Sequence, residues 1–189
     1  MKRALGIAAV VVTLPLGAQE VTPKPRPGFL AGDTIAVVIV DDRRKTDDHE
    51  KLPGALAAAV RAAYPSAVVR QEPDSAFYQP ARPGVITLKV QLLGYQKGFG
   101  TEAGAGIGLS NGVPVPVVVP SGKWNGVTVF GVTVFDKRGG KDGKFTSTID
   151  RVVSKSNMWG NRSGNQAMRE SFAEAVNAML VYIDGVFLA

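Results

Sequence analysis

The clearest periodic pattern in the chain lies in its last third, between residues 127 and 184. Apolar residues recur at spacings of three and four from Asn165 onward, which predicts a helix with one apolar face. The face consists of Met168, Phe172, Ala175, Val176, Met179, Leu180 and Ile183. Two strand-like runs precede the helix, at 124–135 and 144–153, and a glycine-containing turn joins them. This block predicts a hairpin on which the helix packs.

The first half of the chain supplies the other elements of one sheet. Residues 34–40 form a continuous apolar and β-branched run, typical of a strand buried on both faces. Apolar residues at helical spacing predict a helix next, with Pro53 in its first turn, and 67–70 is predicted to be a short strand. Strict alternation begins at Val85 and predicts a half-buried strand with an antiparallel neighbour.

These patterns together predict an α+β fold of two layers, with the order β-α-β-β-β-β-α. One mixed sheet of four to five strands carries two helices on one face. A Gly/Pro-rich insertion at 97–122 interrupts the pattern.

The insertion has two interpretations. Asn111-Gly112 is a strong hairpin signal, which favours an apolar hairpin whose prolines lie at an edge. The alternate prolines, which remove ladder donors, favour an irregular glycine-rich loop instead. The segment either projects toward a partner, a membrane or another subunit, or folds back over the edge of its own sheet. Its candidate partner-binding residues are Ile107, Leu109, Val115 and Val117.

The N-terminus predicts export. Lys2 and Arg3 precede an uncharged run at 4–16 and a small-residue end at Gly17-Ala18, the pattern of a signal peptide at 1–18. The run is shorter than the roughly 20 residues that a spanning helix needs, so no integral helical membrane protein is predicted. Alternate prolines then predict an extended tether at 19–33, followed by a single domain at 34–189. The expected location is the periplasm, either free or peripheral at the outer membrane.

Composition narrows the chemistry. The chain has no cysteine, which excludes disulfides, thiol catalysis and thiolate metal sites. Its net charge of +6 falls to about +4 without Lys2 and Arg3. The basic residues are scattered along the sequence, so nucleic acid is not a predicted partner.

No catalytic, cofactor or metal site is predicted. The single histidine, His49, is flanked by Asp47, Asp48 and Glu50, and four adjacent residues cannot all converge on one ion. A solvated loop before a helix is the favoured interpretation. A metal-assisted periplasmic hydrolase that uses His49 and Asp48 is the alternative.

Two further groups have a structural and a functional interpretation. Residues 41–44 follow the first strand, where open α/β sheets often bind ligands, although charged loops there are common. Trp124 and Trp159 either pack at the sheet margin or form a contact surface.

Several stretches resemble a known family. They are IAVVIVDDR at 35–43, VITLKVQLLGY at 85–95, WNGVTVFGVTVFD at 124–136, SKSNMWG at 154–160 and the helix at 167–180. Together they resemble YajG-type bacterial envelope lipoproteins, and in outline the chain is similar to periplasmic α/β domains of the CsgG and TolB amino-terminal kind. The resemblance implies a small periplasmic domain without enzymatic activity near the outer membrane. Two features depart from it: Gln19 stands where a lipid-bearing cysteine would be, and the 97–122 insertion has no counterpart.

The leading hypothesis is a non-catalytic envelope protein that acts as a binding or assembly factor through its sheet edge or its apolar hairpin. Its expected partner is an envelope protein or a cell-wall or lipid surface. A homo-oligomer is compatible with this hypothesis, and a subunit of a secretion or pore assembly is a further alternative.

Overall fold

The computed structural model describes residues 23–44, 51–78, 84–110, 113–136 and 143–188, and over 101–110 and 113–121 it describes the backbone. The predicted signal peptide at 1–18 and the start of the tether lie outside these residues. The chain forms β1 Thr34–Asp41, α1 Leu52–Ala63, β2 Val68–Glu72, β3 Val85–Ser110, β4 Val113–Asp136, β5 Gly143–Ser156 and α2 Asn161–Leu188. Short 3₁₀ helices occupy Asp74–Tyr78 and Asn157–Trp159.

The five strands form one mixed sheet in the order β2-β1-β3-β4-β5. β1 lies parallel to both β2 and β3, while β3, β4 and β5 form antiparallel pairs. The predicted α+β fold with its order of elements is confirmed. β1 is central to the parallel part, as its continuous apolar run predicts, and Ala36, Val37 and Val38 are each 0% exposed.

A single core fills the space between one face of the sheet and the two helices. Leu52, Leu56 and Val60 of α1 meet the apolar face of α2 in the same cluster as the alternate residues of β3. The alternation from Ile86 to Leu92 therefore marks the face that the helices cover. α2 is long and apolar enough to span a membrane by length and composition, and in this fold its apolar face lies on the sheet.

The other face of the parallel part is covered by the first 3₁₀ helix. Lys89 is buried at 7% exposure, and its ammonium lies 3.0 Å from Oδ1 of Asp74 in that helix. A buried charge of this kind is tolerated because it is paired. The pair holds the segment after β2 against the sheet.

α2 and β4 touch backbone to backbone near the start of the helix. A Cβ built on Gly126 would lie 2.1 Å from the amide nitrogen of Met168 and 2.2 Å from the carbonyl carbon of Ala167. One turn earlier, a Cβ on Gly164 would lie 2.6 Å from Cε3 of Trp124. Only glycine fits at either position, because any side chain would have to displace a backbone or a held ring.

The residues before β1 pack on the domain, and this corrects the predicted solvated tether over 23–33. The backbone N–H of Arg26 donates to the carbonyl of Ala63 at 2.8 Å, and its guanidinium pairs with Asp184 at 2.5 Å. The guanidinium also lies 5.6 Å from the ring centre of Tyr64, which is 0% exposed. Residues 27–32 form turns, and the long-range contacts of Arg26 fix the segment to α1 and α2.

The 97–122 segment continues two strands of the sheet. β3 has 26 residues and β4 has 24, against about five or six in a typical strand. The hairpin interpretation is confirmed for the described backbone, although Asn111 and Gly112 themselves lie outside the described residues. The arm at 106–110 pairs with its own return arm at 113–117.

Replacing Gly126 by Ala is expected to lower the free energy of unfolding by at least about 2 kcal/mol, because the new methyl overlaps helix backbone that cannot rotate away. Gly185→Ala is the control: it lies in α2, the helix that Gly126 faces, and its Cβ would meet nothing within 4 Å. The control should leave stability unchanged or raise it by up to about 1 kcal/mol. Urea unfolding followed by circular dichroism measures both, and equal stabilities would contradict the close approach.

Tyr64 makes the stability depend on alkaline pH. Burial raises the pKa of its hydroxyl, and the hydrogen bond that it donates to Asp184 at 2.9 Å and the charge of that carboxylate raise the pKa further. Since the folded pKa lies above the unfolded value of about 10, this stabilisation is complete below about pH 10 and is lost as the pH rises beyond it.

Tyr64→Phe is therefore expected to cost about 1 kcal/mol at neutral pH. The difference in the free energy of unfolding between wild type and variant should shrink above about pH 10. Ionisation of Tyr64 then stabilises the unfolded chain of the wild type, and the variant has no such group. Urea midpoints of both proteins across that range measure the effect. A difference that stays constant with pH would show that the hydroxyl is not held in its protonated form.

Candidate functional site

The two long strands leave the sheet as a two-stranded ribbon. β1 ends where Asp41 pairs with Leu92, and β5 pairs with β4 only as far as Lys123, opposite Ser156. We call residues 101–110 and 113–122 the ribbon, and residues 97–100 and 123–126 its root. Among the described residues, the two arms of the ribbon pair only with each other. The ribbon is the part of the domain that lies outside the helix-covered core.

The register separates the four predicted contact residues into two sets. Ile107 pairs with Pro116 and Leu109 with Pro114, whereas Val115 and Val117 pair with Gly108 and Gly106. Directly paired residues share a face of an antiparallel ribbon, and neighbours along a strand alternate between faces. One face therefore carries the positions of Ile107 and Leu109, and the other carries those of Val115 and Val117. The structure brings the four onto one ribbon but not onto one surface.

The prolines define the outer edge of the returning arm. Pro114 and Pro116 have no N–H, so their pairs with Leu109 and Ile107 are the ones that exchange no backbone hydrogen bond. The internal ladder stays intact, and both proline nitrogens belong to the outer edge. That edge consequently lacks two of the donors that an added strand would need.

Two aromatic side chains meet at the root, and a third follows Asn157, the hydrogen-bond partner of one of them, in sequence. Phe99 and Trp124 are paired across the strands, and their rings make an edge contact with centroids 5.4 Å apart. The indole N–H of Trp124 donates to Oδ1 of Asn157 at 2.8 Å, and Trp159 follows two residues later. We call Phe99, Trp124 and Trp159 the aromatic patch. Phe99 is 49% exposed and Trp159 is 67% exposed, so two of its three members face water.

Two lysines near the root make side-chain contacts within the domain. Lys97 donates to the side-chain carbonyl of Asn165, and Lys155 pairs with Glu170 at 2.6 Å. Lys123 and Arg162 are exposed. The described surface around the aromatic patch therefore carries exposed positive charge at these two residues.

The charged loop after β1 is occupied by its own contacts. The guanidinium of Arg43 binds the carboxylate of Asp41 at 2.7 and 2.6 Å, and Gln91 donates to Asp42 at 3.3 Å. These contacts favour the structural interpretation of residues 41–44, a charged loop that follows a strand.

The predicted alternative of a metal-assisted hydrolase cannot be placed, because His49, Asp47 and Asp48 lie outside the described residues. Within the described ranges, no group of three or more histidine, aspartate or glutamate side chains is arranged to hold a metal ion.

The sequence predicted the ribbon and singled out both tryptophans, but it did not identify the aromatic patch. Phe99 was missed because it lies in a glycine-rich run whose strand character depends on its pairing with Trp124. A continuation of the alternation past Leu92 is interrupted by an irregularity between Leu92 and Gly94, which hides the strand from a period-two search.

Comparisons with known proteins give weak structural likenesses. No protein-family model matches the chain, no curated protein matches it significantly, and the resemblance to YajG-type lipoproteins therefore gains no family match. The hypothetical protein CT253 from Chlamydia trachomatis has a TM-score of 0.46 at 12% identity, covering 81% of this chain and 96% of that one.

Two further solved structures are similar in outline. A PelC dodecamer from Paraburkholderia phytofirmans has a TM-score of 0.42 at 18% identity, covering 78% of this chain and 88% of that one. The lipoprotein GNA1162 from Neisseria meningitidis has a TM-score of 0.36 at 14% identity, covering 78% and 98%. At these TM-scores the likenesses carry no argument about what this chain binds.

The exposed members of the aromatic patch are expected to contribute little to folding. Phe99→Ala and Trp159→Ala should each change the free energy of unfolding by less than about 1 kcal/mol, since both side chains already face water. Phe130→Ala is the control in the same sheet: its ring is 0% exposed and contacts Phe172, so its loss should cost about 3 to 5 kcal/mol. Losses as large at Phe99 or Trp159 would make the patch part of the core.

Proposed function

We propose that the protein is an exported, non-catalytic binding or assembly factor of the bacterial cell envelope, and that the ribbon is its contact element. One observation carries the proposal: the ribbon extends beyond the ends of β1 and β5, yet no charged residue lies between Glu102 and Lys123. The predicted signal peptide supports the envelope location.

A two-stranded ribbon cannot bury its own apolar residues. A ribbon has two faces and no interior, and isolated hairpins are at best marginally stable in water. The register assigns Ile107 and Leu109 to one face and Val115 and Val117 to the other, so turning the ribbon over would not hide its aliphatic residues. Covering one such side chain is worth roughly 1.5 to 3 kcal/mol. Contact with a partner therefore supplies the burial that the domain does not.

The described core is continuous without the ribbon. The described buried residues within 30–95 and 130–183 form one cluster that connects both helices to the paired strands. Since these contacts remain when the ribbon is absent, selection for folding alone gives no reason to maintain two uncharged arms of this length. A role in binding gives a reason to maintain these arms.

Replacing residues 104–119 by Asn-Gly, a two-residue turn that suits a hairpin, tests the proposal. The shortened protein should keep the circular dichroism spectrum and unfolding midpoint of the full chain, because the core is untouched. In cells, a photoreactive amino acid at Leu109 of the full chain should crosslink to envelope components. The same group at Val181, which is 66% exposed near the far end of α2, is the matched control.

Each of the two measurements has its own contrary outcome. Loss of folding in the shortened protein would place the ribbon in the core. Equal crosslinking from Leu109 and Val181 would mean that the ribbon is no more a contact element than any exposed apolar residue.

A further inference from the structure

The order of side-chain types along the ribbon points to a particular partner. Basic residues stand at the root, Lys97 on the outgoing arm and Lys123 on the returning arm. Phe99 and Trp124 lie beside them, and beyond Glu102 on one arm and Lys123 on the other no charge remains. The root therefore mixes basic and aromatic residues, Lys123 and Glu102 follow on the tip side of the two rings, and the arms beyond them are uncharged and mainly aliphatic.

A mixed basic and aromatic zone followed by an uncharged aliphatic segment matches the headgroup region of a lipid bilayer followed by its acyl chains. Basic side chains favour the anionic headgroups, aromatic rings favour the boundary region, and aliphatic groups favour the acyl chains. A protein partner would more often be met by a polar rim around the apolar centre. Such a rim needs charged or hydrogen-bonding residues within the ribbon, and between Glu102 and Lys123 the polar residues are Ser110, Asn111 and Ser121.

We propose that the surface to which the ribbon binds is a lipid bilayer with anionic headgroups, and that Phe99 and Trp159 lie at its headgroup boundary. This inference rests on the proposed function, in which the ribbon is the contact element. Phe99 is 49% exposed and Trp159 is 67% exposed, so both side chains are accessible to the headgroup boundary before binding. Exposed Lys123 and Arg162 add attraction to a negative surface.

The backbone decides how deeply the ribbon enters. Its outer edges have no described partner, and an unpaired N–H or C=O in hydrocarbon costs several kcal/mol. Two donors are absent at Pro114 and Pro116, but their carbonyls remain, as do the outer groups of Ile107 and Leu109 on the other arm. The ribbon therefore lies within the interface, where water still reaches its edges, and does not cross the bilayer by itself.

Tryptophan fluorescence with vesicles tests the inference directly, because the chain has only two tryptophans. The probe is the chain from Gln19 with vesicles of phosphatidylethanolamine and phosphatidylglycerol. Binding should shift the emission to the blue, and the shift should be lost in Trp159→Phe, since Trp124 is already held by Asn157 and packed near Gly164. Flotation of the same mixtures measures the bound fraction.

The variants separate the patch from general hydrophobicity. Phe99→Ala with Trp159→Ala should lower the partition coefficient about tenfold or more, as the burial of large apolar side chains predicts. Val181→Ala, with a similar exposure of 66%, should leave it unchanged. High salt, or vesicles of phosphatidylcholine alone, should weaken binding because the headgroup attraction is screened or absent. Unfolding midpoints equal to wild type show that each variant is folded.

Each contrary result has one meaning. No flotation and no blue shift, together with protein crosslinks from Leu109, would overturn the lipid assignment and leave the contact role of the ribbon in place. Flotation that persists when residues 104–119 are replaced by Asn-Gly would overturn both. Release of a dye trapped in the vesicles would overturn the interfacial position in favour of a pore formed by several ribbons.

Discussion

The structure depends most on the contact between the backbones of α2 and β4. At Gly126 the strand has no side chain, and the amide of Met168 and the carbonyl of Ala167 occupy the space that a Cβ would take. A side chain at this position would push the helix away, so the glycine fixes where α2 crosses the sheet. Two residues closer to the ribbon, the ring of Trp124 lies against Gly164 near the start of the helix.

The same contact sets the direction of α2 relative to the ribbon. α2 begins at Asn161 and runs away from the ribbon toward Asp184, where it meets Arg26 and Tyr64. The apolar face of α2 packs on the sheet. The long strands β3 and β4 thus serve two purposes, with one half of each in the core and the other half outside it.

Local patterns predicted the elements well where one face of an element is buried. The alternation at Ile86, Leu88, Val90 and Leu92 and the stripe of α2 each follow from burial on one side. The sequence failed where the cause is distant. Nothing near Arg26 indicates that it pairs with Asp184, so the proline-rich segment was predicted to be a tether. Likewise, Pro114 and Pro116 favour a loop in the sequence, because proline cannot donate to a strand ladder. The register places both nitrogens at the outer edge, where the ladder needs no donor.

The two edges of the ribbon differ, and the difference limits how copies of the chain can pair through it. The returning arm lacks donors at Pro114 and Pro116, while the outgoing arm has no proline between Val85 and Ser110. Pairing the outgoing edge of one copy with the returning edge of the next would repeat indefinitely, but it would leave carbonyls without donors at each junction. Pairing two outgoing edges keeps every donor and is complete with two copies, because it has twofold symmetry. The prolines therefore hinder open-ended stacking of the ribbon through its edges.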